Sequence, residues 1–142
     1  MSALDKKLDD LVREIYHLKY PNPYCFVCKQ YKGWFHPKKN PKGCQIGHYI
    51  GRSYLATRWY FPNIFPQCAK DNWEHSNKMK GVNPVAFSMA IIDQYGIDYL
   101  KQLQSKSKES FKKPQKLERL AELQQILQEL KEAQKLKEAQ KK

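Results

Sequence analysis

Cys25-Phe26-Val27-Cys28 and, farther along, Gln67-Cys68-Ala69-Lys70-Asp71-Asn72 are the stretches whose reading decides the fold of this chain. The first is a C-x2-C knuckle, a tight turn that presents two thiolates to one tetrahedral ion. The second starts in the same way but carries Asp71 where the last cysteine of a second knuckle would stand. Cys44 lies between the two. Cys25, Cys28, Cys44 and Cys68 are therefore the candidate ligands of a structural Zn2+, with Asp71 or His75 as alternatives to Cys44 for the fourth position. Four buried free thiols are the simpler alternative.

A staple of this kind answers a need set by composition. The chain has 142 residues, 41% of them hydrophobic, and a mean hydropathy of −0.81. That is one ordinary domain with a thin core, which usually calls for a metal, a disulfide or a partner. The first twenty residues are amphipathic and of mixed charge, with no apolar segment of the signal-peptide kind. No stretch approaches the roughly 18 apolar residues of a membrane span. The expectation is a cytoplasmic protein without membrane contact, where thiols stay reduced and serve metals before disulfides.

The net charge is +12, unevenly spread. Residues 25–83 hold ten Lys and Arg against two acids, Asp71 and Glu74, whereas the last thirty residues hold eight basic and five acidic side chains. A basic centre interleaved with rings suits a polyanion, since each phosphate neutralised releases condensed counterions. DNA is the expected partner. Lys38, Lys39 and Lys42 form a basic loop, and Arg52 and Arg58 are candidate phosphate clamps. Trp34, Phe35, Trp59, Tyr60 and Phe61 are candidates for base stacking or for the core.

Three segments follow from pattern: an N-terminal helix in 1–23, a zinc-binding core in 24–104, and a linker with a C-terminal amphipathic helix in 105–142. Leu4, Leu8, Leu11, Val12, Ile15 and Leu18 make one stripe at helical spacing, with Ser2 as its cap and Pro21 and Pro23 as its stop. His48-Tyr49-Ile50 and Arg58-Trp59-Tyr60-Phe61 are β-prone runs with turns at Gly51 and Pro62. A polar helix is expected over 69–80. Asn83-Pro84 starts a helix that stops at Gly96, and a shorter one runs from Asp98 to about Ser105. Leu117, Leu120, Leu123, Leu127, Leu130 and Leu136 line a long last helix, which is expected to fold back on the first helix or to form a homodimer.

The ordered set Cys-x2-Cys, Gly47-His48-Tyr49-Ile50, Arg58-Trp59, Asn63, Gln67-Cys68 and Asp71-Asn72 resembles the phage NinG-type recombination nucleases, within the HNH or His-Me finger endonucleases. The likeness also takes in Gly81-Val82-Asn83 and Gln94-Tyr95-Gly96, and spans about residues 24–100. It implies an α+β fold: a zinc-stapled ββα core flanked by helices, in a bacterial or phage-infected cell. It further implies that His48 activates water, that Asn63 steadies the loop and the histidine, and that Asn72 holds a catalytic Mg2+ or Mn2+. Asn77 is the alternative ligand in a second register. The chemistry is coherent, because an imidazole can take a proton near neutral pH and a hard cation can stabilise charge on a leaving oxygen. Two departures stand out. The family has Cys where this chain has Asp71, and the stretch from Asn72 to Gly81 is longer than the pattern.

Three functions compete at this level. The first is a metal-dependent DNA endonuclease, possessing His48, Asn63 and Asn72 in order. The second is a non-catalytic zinc-stabilised nucleic-acid-binding module, which needs none of the three. The third is a scaffold that works through its C-terminal helix.

Overall fold

The structure, a computed structural model of the chain, describes residues 1–76 and 83–141, with backbone alone for Glu74, His75, Ser76, Asn83 and Pro84. Asn77, Gly81 and Val82 lie outside the described residues, as do the side chains of His75 and Asn83. The chain is a mixture of helices and one small sheet, and it ends in a long helix. It divides into two compact units, Met1–Pro21 with Phe111–Lys142, and Asn22–Ser110. No described helix is long and apolar enough to cross a membrane.

In the first unit, α1 spans Ala3–Lys19 and α6 spans Lys113–Gln140. Ser2 caps α1 as its sequence suggests: its Oγ accepts from the Asp5 backbone N–H at 3.1 Å. Leu8, Val12 and Ile15 of α1 are buried, as are Leu123 and Leu127 of α6. The two helices pack on each other, so the fold-back alternative is present within the chain. They run in the same direction, because Asp5 pairs with Lys116 at 2.8 Å and Glu14 with Lys131 at 3.2 Å. The first pair is largely buried and the second exposed.

The leucine seam of α6 is narrower than the six positions expected. Leu117 and Leu136 are exposed. The helical rotation of about 100° per residue explains this, since it carries both of them more than a quarter-turn away from Leu123. Length adds to the effect. The 17 residues of α1 span about 25 Å, against about 42 Å for α6.

The second unit is organised by a two-stranded antiparallel sheet, β1 (Cys44–His48) with β2 (Ile64–Cys68). Cys44 faces Cys68, Gly47 faces Phe65 and His48 faces Ile64. β2 leads without a break into α3 (Ala69–Ser76). Two further helices follow, α4 (Asn83–Tyr95) and α5 (Ile97–Ser107). Phe65 anchors the core beside the sheet, with Phe26, Phe87, Ala90, Ile91 and Leu100. Tyr49 extends it, packing on Phe87 and pairing its hydroxyl with Ser88 at 2.7 Å.

Space is tight at position 47. A Cβ there would lie 2.6 Å from Gln67 Oε1 and 3.0 Å from the Phe65 carbonyl oxygen. An added Cβ would have to push the Gln67 amide aside and press on the Phe65 carbonyl of the neighbouring strand.

The Arg58–Phe61 run is not a strand. It belongs to a one-turn helix, α2 (Leu55–Arg58), and a 3-10 turn at Phe61–Asn63. The aromatic β-preference of these residues is overridden by burial, with Trp59 only 1% exposed. Pro62 removes a ladder donor at the same place. The expected helices after Asn83 and Gly96 are present, and α6 begins at Lys113, ahead of the first leucine of its apolar pattern.

Packing in the first unit has a direct consequence. Leu123→Ala should lower stability by about 2–5 kcal/mol, whereas Leu136→Ala should change it by less than about 0.5 kcal/mol. Chemical denaturation of the two variants checks this. Equal effects would contradict the assignment of Leu123 to the buried contact.

Candidate functional site

The knuckle is built by short-range hydrogen bonds. Cys25 N–H donates to the Gln30 carbonyl at 2.8 Å, and Lys29 N–H to the Cys25 carbonyl at 2.9 Å. Lys29 takes a left-handed backbone, φ 60°, to close the turn. A second link ties the knuckle to the sheet, as Phe26 N–H donates to the Pro66 carbonyl at 2.9 Å. Pro66 lacks an N–H of its own but still offers this acceptor.

Cys25, Cys28, Cys68 and Asp71 converge, with their ligand atoms all within 4.8 Å of one another. This is the group of His, Cys, Asp and Glu among the described residues that can hold a metal ion. Asp71 enters because α3 starts directly after Cys68, which brings a residue three positions on back over the cysteine. The Cys25 and Cys68 thiols both donate to Asp71 Oδ2, at 3.4 and 3.1 Å. A tetrahedral zinc with Zn–S near 2.3 Å and Zn–O near 2.0 Å would set sulfur–oxygen edges of about 3.5 Å. The Cys25–Asp71 and Cys68–Asp71 distances already lie near that edge.

The surroundings fit thiolates. The backbone N–H groups of Cys28 and Cys68 both point at Cys25 Sγ, at 3.5 and 3.2 Å. Burial pushes the Cys28 and Cys68 thiols up from their ordinary range, so a metal must displace protons to bind. Three thiolates and a carboxylate around a dication leave an anionic centre. Lys32 lies beside it, its ammonium held up by Cys68 and Cys28.

Cys44 is not one of the four. The all-cysteine set gives way to the alternative with Asp71. Cys44 is 1% exposed and packs against Cys25 and Cys68, but its thiol turns to the Pro23 carbonyl at 3.8 Å. Burial, and then Cys25 and Cys28, push it up to about 12. It stays a neutral thiol that fills space beside the cluster. The register sets it opposite Cys68 on the same face of the ladder, so it lies against the cluster while its Sγ stays outside the four converging ligand atoms.

His48 ends β1 and is half-buried. Its Nε2 lies 2.8 Å from the Arg58 carbonyl oxygen. A carbonyl only accepts, so Nε2 carries the proton, and in the neutral ring Nδ1 is the basic nitrogen. Asn63 is fully buried and closes the segment between the strands. Its Oδ1 accepts from Ile50 N–H at 2.8 Å, and its Nδ2 donates to the carbonyls of Ile50 and Thr57 at 3.0 and 3.2 Å. Arg58, whose carbonyl orients His48, directly follows Thr57. Its guanidinium lies over the Trp59 ring at 5.1 Å.

Asn72 lies on α3 with its Nδ2 donating to Gln45 Oε1 at 2.9 Å. Gln45 and His48 are three residues apart on one strand and so emerge on opposite faces. The structure brings His48, Asn63 and Arg58 together, and it ties Asn72 to the other face. Lys38 and Lys39 sit on an exposed turn closed by His36 and Asn40, and Lys42 and Arg52 are also exposed. Both lysine backbone N–H groups donate to His36 Nδ1, at 3.1 and 3.0 Å.

One buried group has no role in the sequence reading. Gln67 is fully buried, and neither of its side-chain amide atoms has a hydrogen-bond partner. Only its pairing opposite Gln45 and its contact with Gly47 reveal it, and both depend on the strand register. No protein-family model, characterised protein or solved structure matches the chain.

The ligand set makes a sharp forecast. Purified protein should hold about one zinc per chain. Cys44→Ser should keep it, Asp71→Ala should lose or loosen it, and Asp71→Cys should hold it at least as tightly as wild type. Because up to three thiol protons leave on binding, affinity should fall steadily as pH falls. Elemental analysis and competition with a chromophoric chelator across pH read both effects. Loss of zinc in Cys44→Ser with retention in Asp71→Ala would reverse the assignment.

Proposed function

We propose that this chain is a divalent-metal-dependent DNA endonuclease with a ββα His-Me finger core, of the kind found in phage NinG-type recombination nucleases. The observation that carries the reading is the orientation of His48. A neutral histidine whose Nε2 proton is engaged by a backbone carbonyl is held in the tautomer in which Nδ1 is the proton acceptor, the form a general base needs. Asn63 spends all its amide hydrogen bonds on the segment that holds this carbonyl in place. A solvated surface histidine would need neither arrangement.

In the proposed reaction, water attacks a DNA phosphorus while His48 Nδ1 takes its proton, and the bond from phosphorus to the leaving oxygen breaks. Arg52 and Arg58 neutralise phosphate charge beside the hairpin. A Mg2+ or Mn2+ ion would supply charge stabilisation for the leaving oxygen. Asn72 is the residue assigned to it. Its amide nitrogen donates to Gln45, so its oxygen would be the atom offered to a hard ion that keeps most of its water. The structural Zn2+ belongs to Cys25, Cys28, Cys68 and Asp71 and takes no part in the step.

A second reading, a zinc-stabilised nucleic-acid-binding module without catalysis, is favoured by one specific observation. The His, Cys, Asp and Glu side chains that converge as a possible metal site among the described residues are those of the thiol cluster, and Asn72 is bonded to the strand face away from His48. Both readings share the basic surface and differ in cleavage.

A plasmid-nicking assay separates them. With Mg2+ or Mn2+, wild type should nick supercoiled DNA, and His48→Ala should be slower by about 10²–10⁴-fold with zinc content and DNA binding unchanged. Asn72→Ala should instead shift the Mg2+ dependence. Clean wild-type protein that never cuts leaves the binding module as the function. Under either reading, DNA affinity should fall steeply with salt, and replacing Lys38, Lys39 and Lys42 together should flatten that slope by about 2–3. Affinity that does not respond to salt would count against both.

A further inference from the structure

Tyr24 and Tyr31 stand opposite each other at the base of the C-x2-C knuckle, joined by an isolated antiparallel bridge. Their rings meet edge to face, with centroids 4.9 Å apart and planes at 64°. Such a pair is ordinarily a core feature, since each ring offers a large apolar surface to bury. Here Tyr24 is 43% exposed and Tyr31 69%. Neither ring belongs to the core of its unit, which gathers around Phe65 and Phe87. In an edge-to-face pair, the ring that offers its edge keeps both faces open to a further ring.

The charge around the pair points to the occupant. Lys29 and Lys32 flank it on the same knuckle, and residues 22–70 contain eight Lys and Arg and no Asp or Glu. An apolar protein partner gains nothing from that uniform positive charge. A nucleic acid gains from it at every phosphate, and its unpaired bases have flat faces that stack on tyrosine. Paired bases inside a duplex do not offer those faces.

We propose that the Tyr24–Tyr31 pair is a stacking platform for unpaired bases of DNA, held by a phosphate track from Lys29 and Lys32. This deepens the nucleic-acid reading above and rests on it. The substrate class is then DNA with single-stranded segments, such as tails, gaps and branch points. The metal-bound knuckle positions the platform, because Tyr24 precedes Cys25 directly and Tyr31 follows Gln30, whose carbonyl accepts from Cys25 N–H.

The test uses the full-length zinc-loaded protein and two single strands of equal length. One carries normal bases, and the other carries abasic tetrahydrofuran units with the same phosphates. Wild type should bind the base-bearing strand more tightly, by about fivefold to a hundredfold for each stacked base. Tyr31→Ala and the Tyr24→Ala/Tyr31→Ala pair should lose this ratio while keeping affinity for the abasic strand and the salt slope. The Tyr24→Phe/Tyr31→Phe pair should retain it. As a check that needs no variant, a 2-aminopurine in the strand should be quenched on binding wild type. An alanine variant with full zinc content that keeps the ratio overturns the platform, as does wild type that binds both strands equally. Wild type that binds neither strand overturns the nucleic-acid reading itself, and the platform with it.

Discussion

Thiols and a carboxylate crowded within one small volume are costly unless something holds them there. In the second unit of this chain, Cys25 and Cys28 come from an irregular loop, Cys68 from the end of a strand and Asp71 from the first turn of a helix. Backbone hydrogen bonds already tie that loop to the sheet, from Phe26 N–H to the Pro66 carbonyl, Phe35 N–H to the Cys44 carbonyl and Cys44 N–H to the Gly33 carbonyl, and Phe26 packs on Phe65. A metal bound by the four side chains would cross-link loop, strand and helix at one point. In a protein of this composition, such a link contributes folding energy outright. It would do so at the junction where β2 becomes α3, so the hairpin and the helix inherit a fixed relation.

That fixed relation is what the rest of the unit uses. The β1–β2 register sets three things at once. It places Cys44 beside the cluster, it brings Gly47 close to Gln67 and the Phe65 carbonyl, and it sets His48 at the end of the ladder. The segment between the strands is long for a hairpin. Asn63 offsets this by making from within the hydrogen bonds that a short turn would make locally. An Asn side chain has few ways to be fully satisfied when buried, and this one is satisfied only if residues 50 and 57 stay where they are. The orientation of His48 follows from Arg58, next to residue 57. Structural and proposed catalytic features are thus one network, with the metal cluster at one end of the sheet and the histidine at the other.

How much of this was legible in the sequence depended on range. Features fixed by local spacing were readable: the C-x2-C knuckle, the Ser2 cap, the stripe of α1 and the helix starts at Asn83 and after Gly96. Those that needed register were not. Cys44 and Asp71 both had the right chemistry for the fourth ligand, and the start of α3 directly after Cys68 is what brings the Asp71 carboxylate among the other three. Arg58-Trp59-Tyr60-Phe61 has strand-like residues, yet burial of Trp59 and the break at Pro62 make it a turn of helix and a bend. The α6 seam was overextended because leucines spaced by three and six positions drift around the helix. Gln67 was visible only as part of a motif and not as a buried amide, and the Tyr24–Tyr31 pair had no sequence signal, since each acquires meaning only from the residue across from it.

X-ray absorption at the zinc edge of the purified protein tests the central claim most directly, since it counts the atoms around the ion. The account requires a first shell of three sulfurs at about 2.3 Å and one oxygen at about 2.0–2.2 Å. A shell of four sulfurs would return Cys44 to the site and break the link through Asp71. A shell without sulfur would remove the cluster as the point that holds this unit together.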